Sequence, residues 1–244
     1  LLANIASMYA IYHGESGITN IANNIHRLTE KLHSWCVFND IEVMNDTYFD
    51  TVTFKHPHAD WIQDHLYEKG LLVFRDGNRT SISFDETSTN TDKQTIINAI
   101  NEKQPKKTEL RENFNLNLNE NFRRESPFLD EDIFKGMDEV KLTRYIHDLA
   151  DKDYSLVNGM IPLGSCTMKL NPSYTLEPMT WNTIADIHPF APEETYQGYK
   201  SLISKTGNYL KEITGFNHCS FQPNSGAMGE YSGLLCIKKY HETE

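Results

Sequence analysis

A stripe of apolar residues, Ile18, Ile21, Ile25, Leu28 and Leu32, steps along the chain by threes and fours. That spacing puts all five on one face of a helix, and a helix striped in this way must bury that face against another layer. Just upstream, Leu1, Leu2, Ile5, Met8, Tyr9 and Tyr12 share a face of an earlier helix, which His13-Gly14 is expected to stop. Ser16 is placed to cap the second helix. Phe49 to Phe54 alternates and is rich in β-branched residues, the pattern of a strand. Pro57 to Lys69 reads as a helix with Gly70 past its end. Leu71–Phe74 and Ser81–Phe84 flank Asp76-Gly77-Asn78, a hairpin signal, and Asp92 to Ile100 is a short helix. This order suits a small sheet with helices on one face. The expected fold class is therefore α/β in the broad sense, opening with a small α+β domain over 1–102.

Residues 103–125 break the pattern. Lys103, Lys106 and Lys107 surround Pro105, and Asn113, Asn115, Asn117, Asn119 and Asn121 recur among charges, the composition of a solvated linker. A second block, 126–244, opens at Ser126-Pro127, a cap followed by proline at the first helical position. Val140 to Asp151 and Tyr196 to Ile213 read as helices, the latter stopped by Gly215. Between them lies a proline-punctuated stretch with enough apolar residues to argue against disorder, and long irregular stretches in compact proteins are usually functional. A last helix is expected from about Gly226 to Tyr240.

The net charge of −11 disfavours nucleic acid and anionic membranes as partners, since both require a positive surface. No apolar run reaches the roughly 18 residues of a membrane span. Cys36, Cys166, Cys219 and Cys236 form no Cys-x-x-Cys pair, which favours reduced thiols in an intracellular setting. Hydrophobic residues make up 39% of the chain, enough for a buried core. The chain starts inside a helical pattern and without Met, so an internal piece of a longer polypeptide is expected.

Three motifs carry candidate chemistry. Ser225-Gly226-Ala227-Met228-Gly229 joins a polar turn to a helix. Small residues admit a ligand close to the backbone, and the N–H groups of a first helical turn favour an anion. An ordinary capped helix start explains the same residues. Gly164-Ser165-Cys166-Thr167-Met168-Lys169 groups hydroxyl and thiol side chains, suited to a substrate carboxylate or to a nucleophilic Cys166, or simply to a buried, inert thiol. His188 stands in the proline-flanked turn Ile187-His188-Pro189-Phe190-Ala191-Pro192, as an acid–base group or a structural one. His56-Pro57-His58 lacks a recognisable third ligand, so no metal is expected.

MIPLGSCTMKLNP, IHPFAP and FQPNSGAMGEYSGLL, in that order, closely resemble the P-protein family of the glycine cleavage system. LLANIASMYAIYHG, YFDTVTF, FRDGNRTSISFDET and LTRYIHDLADKDYSLVNG extend the resemblance over nearly the whole chain. It implies a pyridoxal-phosphate-dependent glycine decarboxylase built of two halves, each like a fold-type I pyridoxal-phosphate enzyme. Residues 1–102 then resemble the small domain ending the first half, and 126–244 the start of the second, catalytic half. The resemblance implies that Ser225, Gly226, Ala227 and Met228 hold the cofactor phosphate, with Met228 where many members carry Gln. It places Ser165, Cys166, Thr167 and His188 near substrate. It also implies glycine and the lipoyl-bearing H-protein as partners, a homodimer, and a cytoplasmic location, or the mitochondrial matrix in a eukaryote. The family's Schiff-base lysine sits in a His-Lys-Thr sequence, which this chain lacks; Lys169 is not its equivalent. The chain alone is accordingly expected to be inactive. A non-catalytic scaffold or regulatory chain of the same ancestry is the alternative.

Overall fold

The striped segment is helical. In the computed structural model, which describes residues 2–104, 124–160 and 170–243, helix α1 runs Leu2–Phe38 with Gly14 alone outside helical geometry, at φ 59° and ψ −172°. The glycine stop is thus a kink within one helical run. Ser16 lies inside that run and caps nothing, because the helix resumes as soon as Gly14 has turned the chain. The chain divides into two compact units, Leu1–Leu170 and Asn171–Glu244.

The first unit is built on a four-stranded antiparallel sheet in the order β1-β2-β4-β3. Its strands are β1 (Glu42–Val43), β2 (Thr51–Lys55), β3 (Phe74–Asp76) and β4 (Arg79–Ser83). Helices α2 (Ala59–Glu68) and α3 (Asn90–Asn101) pack with α1 on one face. The strand alternation decides which face. Val52, Phe54 and Ile82 point inward to Leu28, Leu32, Trp35 and Cys36 of α1, Ile62 and Leu66 of α2, and Ile96, Ile97 and Ile100 of α3. On the other face, Thr51 Oγ1 meets Ser83 Oγ at 2.8 Å and Thr53 Oγ1 meets Ser81 Oγ at 2.8 Å, a cross-strand row of hydroxyls.

Differences from the sequence expectation have local causes. Leu71–Val73 is not strand; Leu71 N–H bonds back to Leu66 O at 2.9 Å, closing the C-terminus of α2. Helix α3 starts earlier than expected because Thr89 and Asp92 form a reciprocal capping box. Strand β1, too short to read from pattern, is continued by a side chain: Asn45 Oδ1 accepts from Thr53 N–H and its amide donates to Thr51 O, both at 2.9 Å.

No helix begins at Ser126-Pro127. Leu129 takes φ 51°, which an α-helix excludes, and a 3₁₀ turn, Asp132–Phe134, follows instead. Helix α4 (Glu139–Ala150) begins only where Asp138 accepts from Lys141 N–H at 2.8 Å. Both pieces pack on α1. A Cβ at Gly14 would lie 2.3 Å from the Phe134 carbonyl oxygen, so the glycine is required for this contact as well as for its positive φ.

The second unit contains 3₁₀ turns at Ser173–Thr180 and Glu193–Tyr196, the single-turn helix α5 (Asn182–Ala185), and helices α6 (Gln197–Thr214) and α7 (Gly226–Thr243). Gly215 ends α6 at φ 77°, as its position predicts. Tyr199 donates its hydroxyl to Ile184 O at 2.9 Å, joining α6 to α5. Ala191 and Gly207 are the buried positions among the described residues of this unit. Ile213 and Leu234 are 80% and 65% exposed.

Stability should reside in the first unit. Phe54→Ala, at a fully buried site, is expected to cost about 3–5 kcal/mol, against less than about 0.5 kcal/mol for Leu234→Ala, read from urea unfolding of the chain. The same unfolding curve should shift with pH. Burial pushes the imidazoles of His56 and His33 below their usual pKa, against the Gln104 bond at His56 and the carboxylates of Glu30 and Asp46 at His33; the neighbouring His58 pushes His56 down further. The folded state therefore prefers the neutral rings. Their contribution is complete above the unfolded value of about 6.5 and is lost as pH falls below it. The urea midpoint should drop between pH 7.5 and 5.5. His56→Asn, which can still accept the His58 N–H that His56 Nδ1 accepts at 3.1 Å, should reduce that drop.

Candidate functional site

The N-terminus of α7 is formed by a serine that works twice. Ser225 Oγ accepts the N–H of Met228 at 3.2 Å, and Ser225 O accepts that of Gly229 at 3.0 Å. The ordinary capped helix start is thus present, with Ser225 as its cap. A hydroxyl that accepts one hydrogen bond still has its own proton to donate. The N–H groups of Gly226 and Ala227 lie in the first turn, where no helical carbonyl can reach them. One O–H and two N–H groups thus stand at the positive end of an 18-residue helix. All are neutral donors, a set that fits a phosphate. Cβ atoms built at Gly226 and Gly229 would meet nothing within 4 Å, so the approach to this turn is open. Met228 is 49% exposed, its N–H committed to the cap.

His188 is set by its own turn. Its Nδ1 accepts the Phe190 N–H at 3.0 Å, its carbonyl accepts from Ala191 N–H at 2.9 Å, and the buried Ala191 anchors the turn. An Nδ1 that accepts must lack a proton, so the neutral ring carries its hydrogen on Nε2 and presents a donor. Phe190, 87% exposed, stands beside it with ring centroids 5.7 Å apart. Among the described residues no hydrogen bond, ion pair or ring contact joins His188 to Ser225, Gly226, Ala227 or Met228. Ser165, Cys166 and Thr167, and Lys169 after them, lie outside the described residues.

Other candidates sort themselves by contact. His56 and His58 stand 5.8 Å apart, and the described residues hold no group of three or more His, Cys, Asp or Glu side chains arranged for a metal. Cys36 is buried and its thiol is pushed up to about 12 by that burial, so it is no nucleophile. Lys103, read as part of a solvated linker, instead places its ammonium 4.2 Å from the centre of the Trp61 ring. A cavity between α1 and the start of α4, lined by Tyr12, Met137, Asp138, Lys141 and Arg144, contains none of the expected site residues. No helix among the described residues is long and apolar enough to cross a membrane. Sequence reasoning missed one polar cluster altogether: Glu30, buried, accepts from Ser34 Oγ at 2.9 Å and from the Tyr48 hydroxyl. Tyr48 lies 18 positions from Glu30, and the set matches no motif.

Residues 1–100 match the family model described as glycine cleavage system P-protein. Across 99% of its length the chain is 42% identical to the glycine dehydrogenase (decarboxylating) of Deinococcus radiodurans, covering 25% of that protein. It is likewise 42% identical over 99% of its length to the mitochondrial glycine dehydrogenase (decarboxylating) of Pisum sativum, covering 23%. A second glycine dehydrogenase (decarboxylating) of Colwellia psychrerythraea is 37% identical over 99% of the chain and 26% of its own length. The chain thus spans about a quarter of the length of the curated relatives it matches.

Two measurements check the geometry. Nitrogen-15 NMR of the His188 ring should show the Nε2–H tautomer at pH 8; an Nδ1–H signature would break the Phe190 bond. Ser225→Ala removes the acceptor for Met228 N–H and should cost about 1 kcal/mol locally. It should appear as faster hydrogen exchange confined to the first turn of α7.

Proposed function

We infer, for a chain whose residues 1–100 carry the glycine cleavage system P-protein domain, that it is part of a glycine dehydrogenase (decarboxylating). The observation that supports this most directly is similarity to such enzymes along 99% of the chain, including the segment that holds Ser225 and His188. The chain contributes the end of one fold-type I half, over 1–102, a linker over 103–125, and from 126 the start of a second half of the same kind.

Pyridoxal 5'-phosphate, when bound, supplies the electron sink that lets the glycine carboxylate depart as carbon dioxide. The residues of this chain do the holding. Ser225 donates its hydroxyl to the phosphate, and Gly226 and Ala227 their N–H groups, while Met228 completes the turn with its N–H bound to Ser225. No lysine is needed for this anchor, because the helix end and three neutral donors match the anion. His188 offers Nε2–H to an anionic oxygen of the substrate. Ser165, Cys166 and Thr167 form a further part of the substrate wall. The parent acts on glycine, passes the aminomethyl group to the lipoyl arm of the H-protein, and works as a homodimer in the cytoplasm, or in the mitochondrial matrix of a eukaryote.

The chain contains no His-Lys-Thr sequence, so the Schiff-base lysine belongs to a part of the longer polypeptide outside these residues. The expected result is that the parent polypeptide releases labelled carbon dioxide from carboxyl-labelled glycine in the presence of pyridoxal phosphate and H-protein, while the 244-residue chain does not. Ser225→Ala in the parent should weaken cofactor retention roughly tenfold, by the loss of about one charge-assisted hydrogen bond. A parent that releases no carbon dioxide would refute the assignment, and turnover by the chain alone would refute its inactivity.

A further inference from the structure

The loop between β1 and β2, Met44–Asp50, meets helix α1 through a polar, part-buried contact. Glu30, 8% exposed, is held by two neutral donors, Ser34 Oγ on its own helix and the Tyr48 hydroxyl on the loop. Among the described residues no lysine or arginine lies within ion-pair distance of its carboxylate. His33 stands three residues on, one helical turn from Glu30, and stacks on Tyr48 with ring centroids 4.2 Å apart. His26, fully buried, also stacks on Tyr48, with ring centroids 5.7 Å apart, and its Nδ1 meets Phe49 O at 2.9 Å. As a carbonyl can only accept, Nδ1 is the donor there; His26 Nε2 has no partner among the described residues.

We propose that Asp46–Phe49, beyond the Asn45 anchor on β2, is an acid-released clasp on α1, closed by the Tyr48–Glu30 hydrogen bond and opened when a protonated His33 takes the Glu30 carboxylate. A buried carboxylate held only by hydroxyls gains more from a cation than from the hydroxyl it gives up. The part-buried Tyr48 hydroxyl, having lost its acceptor, then favours a loop turned out to water. The surrounding charges set the direction. On the loop, Asp46 faces His33 but is exposed, so water screens its pull. Asp50 is engaged with Thr51 Oγ1. From α3, Lys93 faces Arg27 and Lys31 of α1, a cationic set that does not pair with Glu30. Burial holds His33 neutral until the pH falls below its ordinary range, which keeps the clasp closed at neutral pH.

Ring-proton NMR of Tyr48 in the 244-residue chain, followed from pH 7.5 to 5, reads this directly. The Tyr48 ring signals should leave the positions set by stacking on His33 as the pH falls below about 6.5, while the amides of β2 and β4 keep their protection. His33→Gln should flatten that dependence. Should His33→Gln fail to keep its circular dichroism spectrum, Glu30→Gln supplies the same reading, since its neutral amide attracts no cation. A flat profile in the unmutated chain, or the same slope in the variant, overturns the proposal.

Discussion

The first unit depends on one-sided burial of its sheet. Val52, Phe54 and Ile82 have no exposure to speak of, and three helices share the work of covering them. Once that face is fixed, much else follows. Leu28 and Leu32 of the α1 stripe face the sheet with Ile25 partly buried beside them; on the other face the Thr51–Ser83 and Thr53–Ser81 hydroxyls satisfy each other, while Thr80 turns inward and its hydroxyl has no partner among the described residues. The carboxylate of Glu30, on the flank of the same helix, is left with loop and helix hydroxyls for company. Burial of apolar area thus places the polar groups as well as the apolar ones.

What could be read in advance divides along the same line. Helices α1, α2, α3, α4, α6 and α7 were legible because each carries a period, a stop glycine or a cap. The hairpin around Gly77 was legible because only glycine takes that φ of 60° cheaply. The helix expected at Ser126-Pro127 was not there, and the reason is tertiary: this stretch leads into the turn seated on Gly14, whose geometry a local cap signal cannot report. Strand β1 escaped because two residues have no period, and its extension by the Asn45 amide is a side-chain device.

The candidate site was legible to a different degree. Ser225 could be named from sequence as a cap or an anion contact; the geometry shows the cap, and the hydroxyl keeps a proton of its own to donate. His188 could be named but not its tautomer, which depends on a bond to the amide two residues on. The pairing of Glu30 with Tyr48 spans 18 positions and matches no motif, so nothing short of the folded chain reveals it.

The amide of Asn45 has one more consequence. Beyond the two residues of β1, strand β2 would present Thr53 N–H and Thr51 O to any extended segment that drifted alongside. Asn45 occupies both with its side chain, and a side chain, unlike a strand, cannot hand the ladder on to a neighbour. The sheet is in this way closed to edge-to-edge addition at the position where its partner strand gives out. That small stopper protects one edge of the sheet from cross-molecular growth; β3 forms the other.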